Sequence, residues 1–330
     1  MKLAPVALFV YNRADNTRRT LEALAANTLA RETEVFVFSD GGRDEQSWAL
    51  VREVRKVVRE FLPSPKMERE GQEGKPLPIK GEPEGGFRSL TLVERPENYY
   101  LERNITEGIA EVFHEHDRII VLEDDILTSP YYLQYMNEAF ELYRDEPRVM
   151  HVAGFTNLNL AETPFYFTPH MSGWGWGTWR DRWDGHFLHY KTREDALQGL
   201  TPEDLDALQY GGVFRCLQSL DKRPIPWDIC WEIAIYRAHG LCLTPGQTMV
   251  RNIGLRQGTH FRSWSLLQWY EFDREPQQTP LPLVRVEHPT KDPAIEIQFA
   301  QTIRNWGIRY TLTGQIIRYI YKKFQKLCAY

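Results

Sequence analysis

Five short apolar runs, each closing on polar or charged side chains or on a helical stretch, constrain this chain more than any other feature. They are VALFVY (Val6 to Tyr11), EVFVFSD (Glu34 to Asp40), SLTLVER (Ser89 to Arg95), IIVLED (Ile119 to Asp124) and RVMHVAGF (Arg148 to Phe155). Near-continuous apolar character is expected of strands buried on both faces, the condition of a parallel sheet. Between the runs lie residues at helical spacing. Leu21 and Leu24 share a face of a first helix that Asn16 or Thr17 can cap, and Trp48, Val51, Val54, Val58 and Phe61 share a face of a second. Ile105 to Phe113 belongs to a third helix and Tyr131 to Tyr143 forms a fourth. Repeated strand and helix with short connections predicts an α/β fold, a mostly parallel, doubly wound sheet flanked by helices. With 330 residues the chain can bury a substantial core, as one large domain or two smaller ones.

The punctuation is uneven. Residues 63–86 are rich in Pro, Gly, Lys and Glu and lack apolar periodicity, which predicts a flexible surface insertion. From Thr156 onward Trp, Gly and Pro become frequent and the alternation fades, which predicts loops and helices built around a site on the same sheet. Cys216, Cys230, Cys242 and Cys328 show neither CxxC spacing nor a dense framework, so reduced thiols and a cytoplasmic setting are expected, without a zinc site. The apolar start, MKLAPVALFVYNRAD, is too short to span a bilayer and lacks a small-residue cleavage site, so it is expected to be the first strand. A formal net charge of −5 argues against nucleic acid as a partner across the whole surface.

In open α/β sheets ligands bind beyond the carboxyl ends of the strands. Those ends carry Asn12-Arg13, Asp40-Gly41-Gly42, Glu94-Arg95 and Glu123-Asp124-Asp125. No GxGxxG follows the first strand and no GxxxxGK[ST] occurs, so a glycine cradle for phosphate is not expected. Clustered carboxylates can meet phosphate through a hard divalent cation, Mg²⁺ or Mn²⁺, which uses one or two carboxylates plus phosphate oxygens. The plainer reading of the triplet is a helix N-terminus that favours acids before Ser129-Pro130.

Taken in order, FVYNR at Phe9 to Arg13, FSDGG at Phe38 to Gly42, ENYYLERNI at Glu97 to Ile105 and VLEDD at Val121 to Asp125 resemble the GT-A nucleotide-sugar glycosyltransferases. They look most like bacterial family-2-type enzymes and their relatives, the eukaryotic N-acetylglucosaminyltransferases that begin complex N-glycan branches. SGWGWGTWRDRW at Ser172 to Trp183 resembles a segment typical of the bacterial group, and PWDICW and RNIGLRQGTHF follow in the expected order. The resemblance implies a Rossmann-like GT-A domain over 1–296, with 1–155 binding the nucleotide sugar and 156–296 the acceptor. It implies a hexosyl- or N-acetylhexosaminyltransferase that moves a sugar, with inversion, from a nucleotide sugar to a hydroxyl. A UDP-sugar is the expected donor, and the acceptor a glycan or lipid-linked glycan in surface polysaccharide synthesis. For the matching positions it implies Asp125 as the metal ligand beneath the diphosphate, Asp124 near the ribose and Glu123 near the transferred sugar. Asp40 would meet the base, and Arg13, with Tyr11 and Asn12 of the same segment, the base or phosphates. Arg103 and Asn104 would lie near the donor sugar. The triplet departs from the commonest DxD spelling, which leaves open which carboxylates touch the metal.

The base for the acceptor is expected downstream. Asp228 in PWDICW is the choice by motif position, with Glu232 as fallback and Asp181 and Asp184 as weaker candidates. Asp228 can also cap a helix beginning near Ile229. Trp174 and Trp176 are expected to stack on a sugar ring, with Gly173, Gly175 and Gly177 allowing close backbone approach. Trp179 and Trp183, four apart, are expected in the core on one helix face. His260 lies in a loop that the resemblance would close over the donor, and Arg251 and Arg256 are expected diphosphate partners. Residues 297–330 contain no Asp or Glu and carry six Arg or Lys along an apolar-periodic stretch. That is a basic amphipathic tail, which either docks on the domain or lies on the inner face of a membrane. Two other readings of the acids stay open here: a metal-dependent phosphohydrolase or nucleotidyltransferase, and a noncatalytic glycan-binding protein.

Overall fold

The computed structural model describes residues 3–62, 86–209, 216–254 and 274–309. Arg256, His260, the 63–86 insertion up to residue 85 and the tail beyond Arg309 lie outside the described residues.

The first half follows the apolar runs. Strand β1 (Val6–Val10) leads to α1 (Ala14–Ala25), β2 (Glu34–Ser39) to α2 (Glu45–Glu60), and β3 (Ser89–Glu94) to α3 (Tyr100–Phe113). Then come β4 (Arg118–Glu123), β5 (Ile126–Thr128), α4 (Tyr132–Leu142) and β6 (Val149–Ala153). The second half adds β7 (Phe165–Thr168), β8 (Trp176–Trp179), and the short helices α5 (Arg180–His186), α6 (Arg193–Leu197) and α7 (Pro202–Leu208). It ends with α8 (Trp227–Arg237), β9 (Leu241–Pro245), β10 (Val250–Asn252) and α9 (Pro293–Arg309).

Eight strands form one sheet in the order β3-β2-β1-β4-β8-β6-β9-β7, in which β8 and β7 run against the other six. The fold is therefore α/β, a large mostly parallel sheet with helices on both faces. Alternation along β1 shows how the layers are shared. Val6, Leu8 and Val10 pack with Leu21, Leu24, Val54 and Tyr135 on one face. Ala7 and Phe9 pack with Ile105, Ile109 and Trp231 on the other.

Three local expectations change. Helix α1 starts directly behind Arg13, so Asn16 and Thr17 sit buried inside it rather than capping it, and the Thr17 hydroxyl donates back to the Arg13 carbonyl at 2.9 Å. The second half is not only loops and helices: β7, β8 and β9 complete the sheet, and β8 wedges between β4 and β6. WGTW is too short to display a period, yet all four residues are buried by their place at the centre of the sheet. Trp179 ends β8 and Trp183 lies on α5, so the two are buried from different elements rather than from one helix face.

Phe299 stacks on His170 with ring centroids 5.9 Å apart, which ties the start of α9 to the body of the protein. Among the described residues no helix is long and apolar enough to cross a membrane.

Candidate functional site

Parallel strands deliver their carboxyl ends to one edge, and a cavity of about 1110 Å³ opens there. Glu123 and Asp125, at and just after the end of β4, line it together with Gly173 and Trp174, Pro226 to Asp228 at the start of α8, and Asn252 and Gly254 at and just after the end of β10. Tyr100 to Glu102, at the start of α3, supply a further wall. Five chain segments far apart in sequence thus meet at the edge where ligands commonly bind in open α/β sheets.

The three acids have different surroundings. Asp124 is buried, and Arg13 binds both its oxygens, one in a close ion pair and the other from Nε at 3.4 Å. The same guanidinium reaches Asp125 Oδ2 with Nη1 at 2.8 Å. Burial pushes the Asp124 carboxyl above its ordinary range against the pull of Arg13. Burial, then Asp125 and Asp124, push Glu123 up as well. Arg13, expected at the base or phosphates, directs its guanidinium into these acids, and Asp124 faces it rather than the cavity.

The far end of the chain closes over this pair. Strand β10 runs antiparallel to β5, pairing Asn252 with Ile126, and the Ile253 amide donates to the Asp125 carbonyl at 2.8 Å. Gly254 is required there: a Cβ on it would come within 1.9 Å of Asp125 Oδ2 and 2.9 Å of Arg13 Nη1.

A hard cation fits what remains. The Glu123 carboxylate and Asp125 Oδ1 have no hydrogen-bond partner among the described residues, and both residues line the cavity. Among the described residues no group of three or more His, Cys, Asp or Glu is arranged to hold a metal by itself. A cation on Glu123 and Asp125 would therefore take most of its shell from ligand oxygens and water, which is how Mg²⁺ and Mn²⁺ commonly bind beside phosphates.

Across the cavity, Asp228 sits in the first turn of α8, one residue inside the helix, so it does not cap a helix starting at Ile229. Its Oδ1 accepts the Ile229 amide at 2.9 Å. Burial raises its pKa, against the Ile229 hydrogen bond and Lys222. Glu232, the fallback base, lies one turn on along α8 and is directed into the protein. It is buried, closely paired with His170 Nδ1, and takes the Met171 amide at 2.9 Å. It therefore joins α8 to the segment after β7 and is absent from the cavity wall.

The two tryptophans expected at the site separate. Trp174 is half-buried on the cavity wall, edge-on to Phe155 at 4.6 Å. Trp176 is fully buried, stacked between His151 and Trp227 at 5.1 Å from each, because β8 is an interior strand. It is a core residue. Gly175 adopts φ +61°, and a Cβ on it would meet Val250 at 2.9 Å, so this glycine serves backbone packing rather than ligand approach.

Other expected residues are also placed. Asp40 is buried and ties β2 to the start of α3, accepting the Tyr99 amide at 2.7 Å, the Gly41 amide at 2.9 Å and the Asn98 side chain at 3.1 Å. Tyr11 and Asn12 are half-buried at the end of β1, with the Arg43 guanidinium 5.6 Å from the Tyr11 ring. Arg103 pairs with Glu97 and Glu107 at the surface, and Asn104 turns inward to accept Arg95 Nε at 3.0 Å. Neither lines the cavity. Arg251 pairs with Glu275, on the opposite side of β10 from Asn252, as strand alternation requires.

Glu102 was missed. It lies three residues before Ile105, so the helical phase already places it on the inner face of α3. Arg43, Tyr100, Lys222 and Arg223 were also missed; they lie in connecting segments or at a helix start and carry no periodic signal. Tyr100 is held at φ 58°, left-handed backbone that a tyrosine rarely adopts, under the Arg43 guanidinium at 4.7 Å.

No family model matches the chain, and no curated protein matches it. Among solved structures it is similar to a mannosyltransferase from Pyrobaculum calidifontis in complex with GDP-Man and Mn2+, at 15% identity and a TM-score of 0.37, over 72% of this chain and 70% of that one. It is also similar to TarS of S. aureus, at 12% identity and a TM-score of 0.38, over 74% of this chain and 36% of that one. The match to the 1–349 fragment of TarS has a TM-score of 0.36 and spans 59% of it, so this chain covers less than two thirds of either TarS structure.

Proposed function

We propose that the protein is an inverting glycosyltransferase of the GT-A kind, using a nucleotide sugar, expected to be a UDP-sugar, and a hydroxyl acceptor on a glycan or lipid-linked glycan. One observation carries this reading. A single cavity at the carboxyl ends of the strands has uncommitted hard oxygens on one wall, and a carboxylate base beside an aromatic ring on the other. The first wall suits a diphosphate with a cation, and the second a sugar hydroxyl.

Glu123 and Asp125 are the residues that would hold Mn²⁺ or Mg²⁺. When bound, the cation supplies positive charge to offset what develops on the departing diphosphate. Arg13 keeps Asp124 and Asp125 together without a ligand, so the site is charged and ordered in advance. Trp174 offers a ring face for the apolar side of a sugar. Asp228 takes the proton from the acceptor hydroxyl as its oxygen bonds to the anomeric carbon and the bond to the diphosphate breaks. The ordered motifs from FVYNR to RNIG support the reading, since the structure draws their members to one edge.

A screen of nucleotide sugars for nucleotide release, with and without Mn²⁺ and a sugar acceptor, tests it. We expect acceptor-dependent release that Asp125→Ala lowers by ~10²-fold or more. Failure of every nucleotide sugar to bind would sink the proposal. Metal-dependent cleavage indifferent to acceptor would favour a phosphohydrolase.

A further inference from the structure

Glu102 occupies a wall of the cavity that neither the donor nor the metal reading uses. Its Oε2 accepts the amide of Trp227, the first residue of α8, at 2.5 Å, and this binds the start of α3 to the start of α8. Its Oε1 has no hydrogen-bond partner among the described residues. The next residue along α8 is Asp228, and both carboxyl groups line the same cavity. Trp227 is itself clamped on the other side by stacking on Trp176. Asp228 is thus placed by a ring on the sheet and by a carboxyl group from another helix.

We propose that Glu102 and Asp228 form a carboxylate pair with divided roles, Asp228 taking the acceptor's proton and Glu102 acting as the positioning residue that fixes it. The proposal rests on the glycosyltransferase reading. Carboxyl groups on adjoining positions of one cavity disfavour each other's ionisation, so that one keeps its proton more readily while the other is charged. Burial raises Asp228, and Glu232 adds to it, while the Ile229 amide and Lys222 favour its charged form. Glu102 is pushed up to about 7, by burial first and then by Asp228, against the Trp227 amide and Lys222. The groups facing Glu102 are therefore the Trp227 amide and Asp228 from α8 and Lys222 from the segment before it, with Cys230 one turn further along α8. Below the titration of Glu102 a protonated acid sits beside the proposed base. As pH rises through the titration of Glu102, a second negative charge appears next to Asp228 and repels it from its pose.

The experiment compares the pH profile of kcat for the full chain with Glu102→Gln and Glu102→Ala. Gln keeps an oxygen for the Trp227 amide and cannot ionise, so the alkaline loss of activity moves up by about a pH unit or more. Ala loses the bridge, and kcat falls by ~10-fold or more with donor KM little changed. A Gln profile that superimposes on the parent, or falls in parallel with Ala at every pH, overturns the proposal. Carboxyl-carbon NMR titration of Glu102 in the unliganded protein separates this outcome from failure of the glycosyltransferase reading. If no sugar is transferred but Asp228→Asn still lowers the Glu102 titration, the pair stands and the reaction assigned to it falls. If the Glu102 titration is unmoved, the pair itself is wrong.

Discussion

Arg13 shows how far a single residue's role depends on what folds around it. Its place in FVYNR implies a partner of the base or the phosphates; in the folded chain it pairs with Asp124 and with one oxygen of Asp125. The repulsion that the EDD triplet seems to carry is thereby relieved by the protein itself, leaving Glu123 and one oxygen of Asp125 for a ligand. Gly254 guards that arrangement from 129 positions downstream of Asp125. Gly254→Ala would place a methyl group against Asp125 Oδ2 and Arg13 Nη1, so the ion pair itself must shift to admit it. We expect thermal unfolding to show a loss of about 1–3 kcal/mol, and Mn²⁺-dependent turnover to fall with it. An unchanged melting temperature together with full turnover would show that the Asp125–Arg13 pair can shift freely. Asp125 and Asp228 were legible as candidates because each stands in a motif that carries the resemblance. The pairing of Glu232 with His170 was not, since it depends on which distant segment packs against α8.

At the scale of elements, β8 and α8 form the scaffold behind the cavity wall that carries Asp228. His151 on β6 is fully buried, with Trp231 Nε1 donating to its Nδ1 at 3.3 Å and its Nε2 donating to the Ser172 carbonyl at 3.2 Å. Trp231 can only donate, so Nδ1 must carry no proton and the ring is neutral. Burial depresses its pKa from 6.5 to about 3. Because the folded value lies below the unfolded one, the unfolded chain binds the extra proton between those limits, and stability falls as pH drops below 6.5. At pH 5 this amounts to about 2 kcal/mol, from 1.36 kcal/mol per unit. Urea unfolding at pH 5 and pH 7 should show that difference, and His151→Gln should remove it even if its overall stability is lower. A slope unchanged in His151→Gln would locate the acid sensitivity elsewhere. The Trp-rich segment itself defied sequence reading, because a four-residue central strand has no period to detect.

For the whole molecule, the start of α9 is docked through Phe299 on His170, while the basic, apolar-periodic stretch continues beyond Arg309. Peripheral membrane contact through that stretch is a proposal tied to a lipid-linked acceptor. A chain ending at Arg309 keeps the docking ring, so it separates the two roles. We expect the full chain to co-sediment with anionic liposomes and the shortened one to remain in solution; equal partitioning would remove membrane binding from the picture. The sequence by itself determined the strand-helix alternation, the mostly parallel sheet and the edge at which the cavity opens, because continuous apolar runs are stable only when both faces are covered. It also marked the acids after β4 and before the second turn of α8. Only the tertiary structure decided that Trp176 is core, that Arg13 serves the acids, that Arg103 and Arg251 face away from the cavity, and that Glu102 stands beside Asp228. Those outcomes depend on which side of an element meets its neighbour from a distant part of the chain, and long-range packing, not local pattern, sets that.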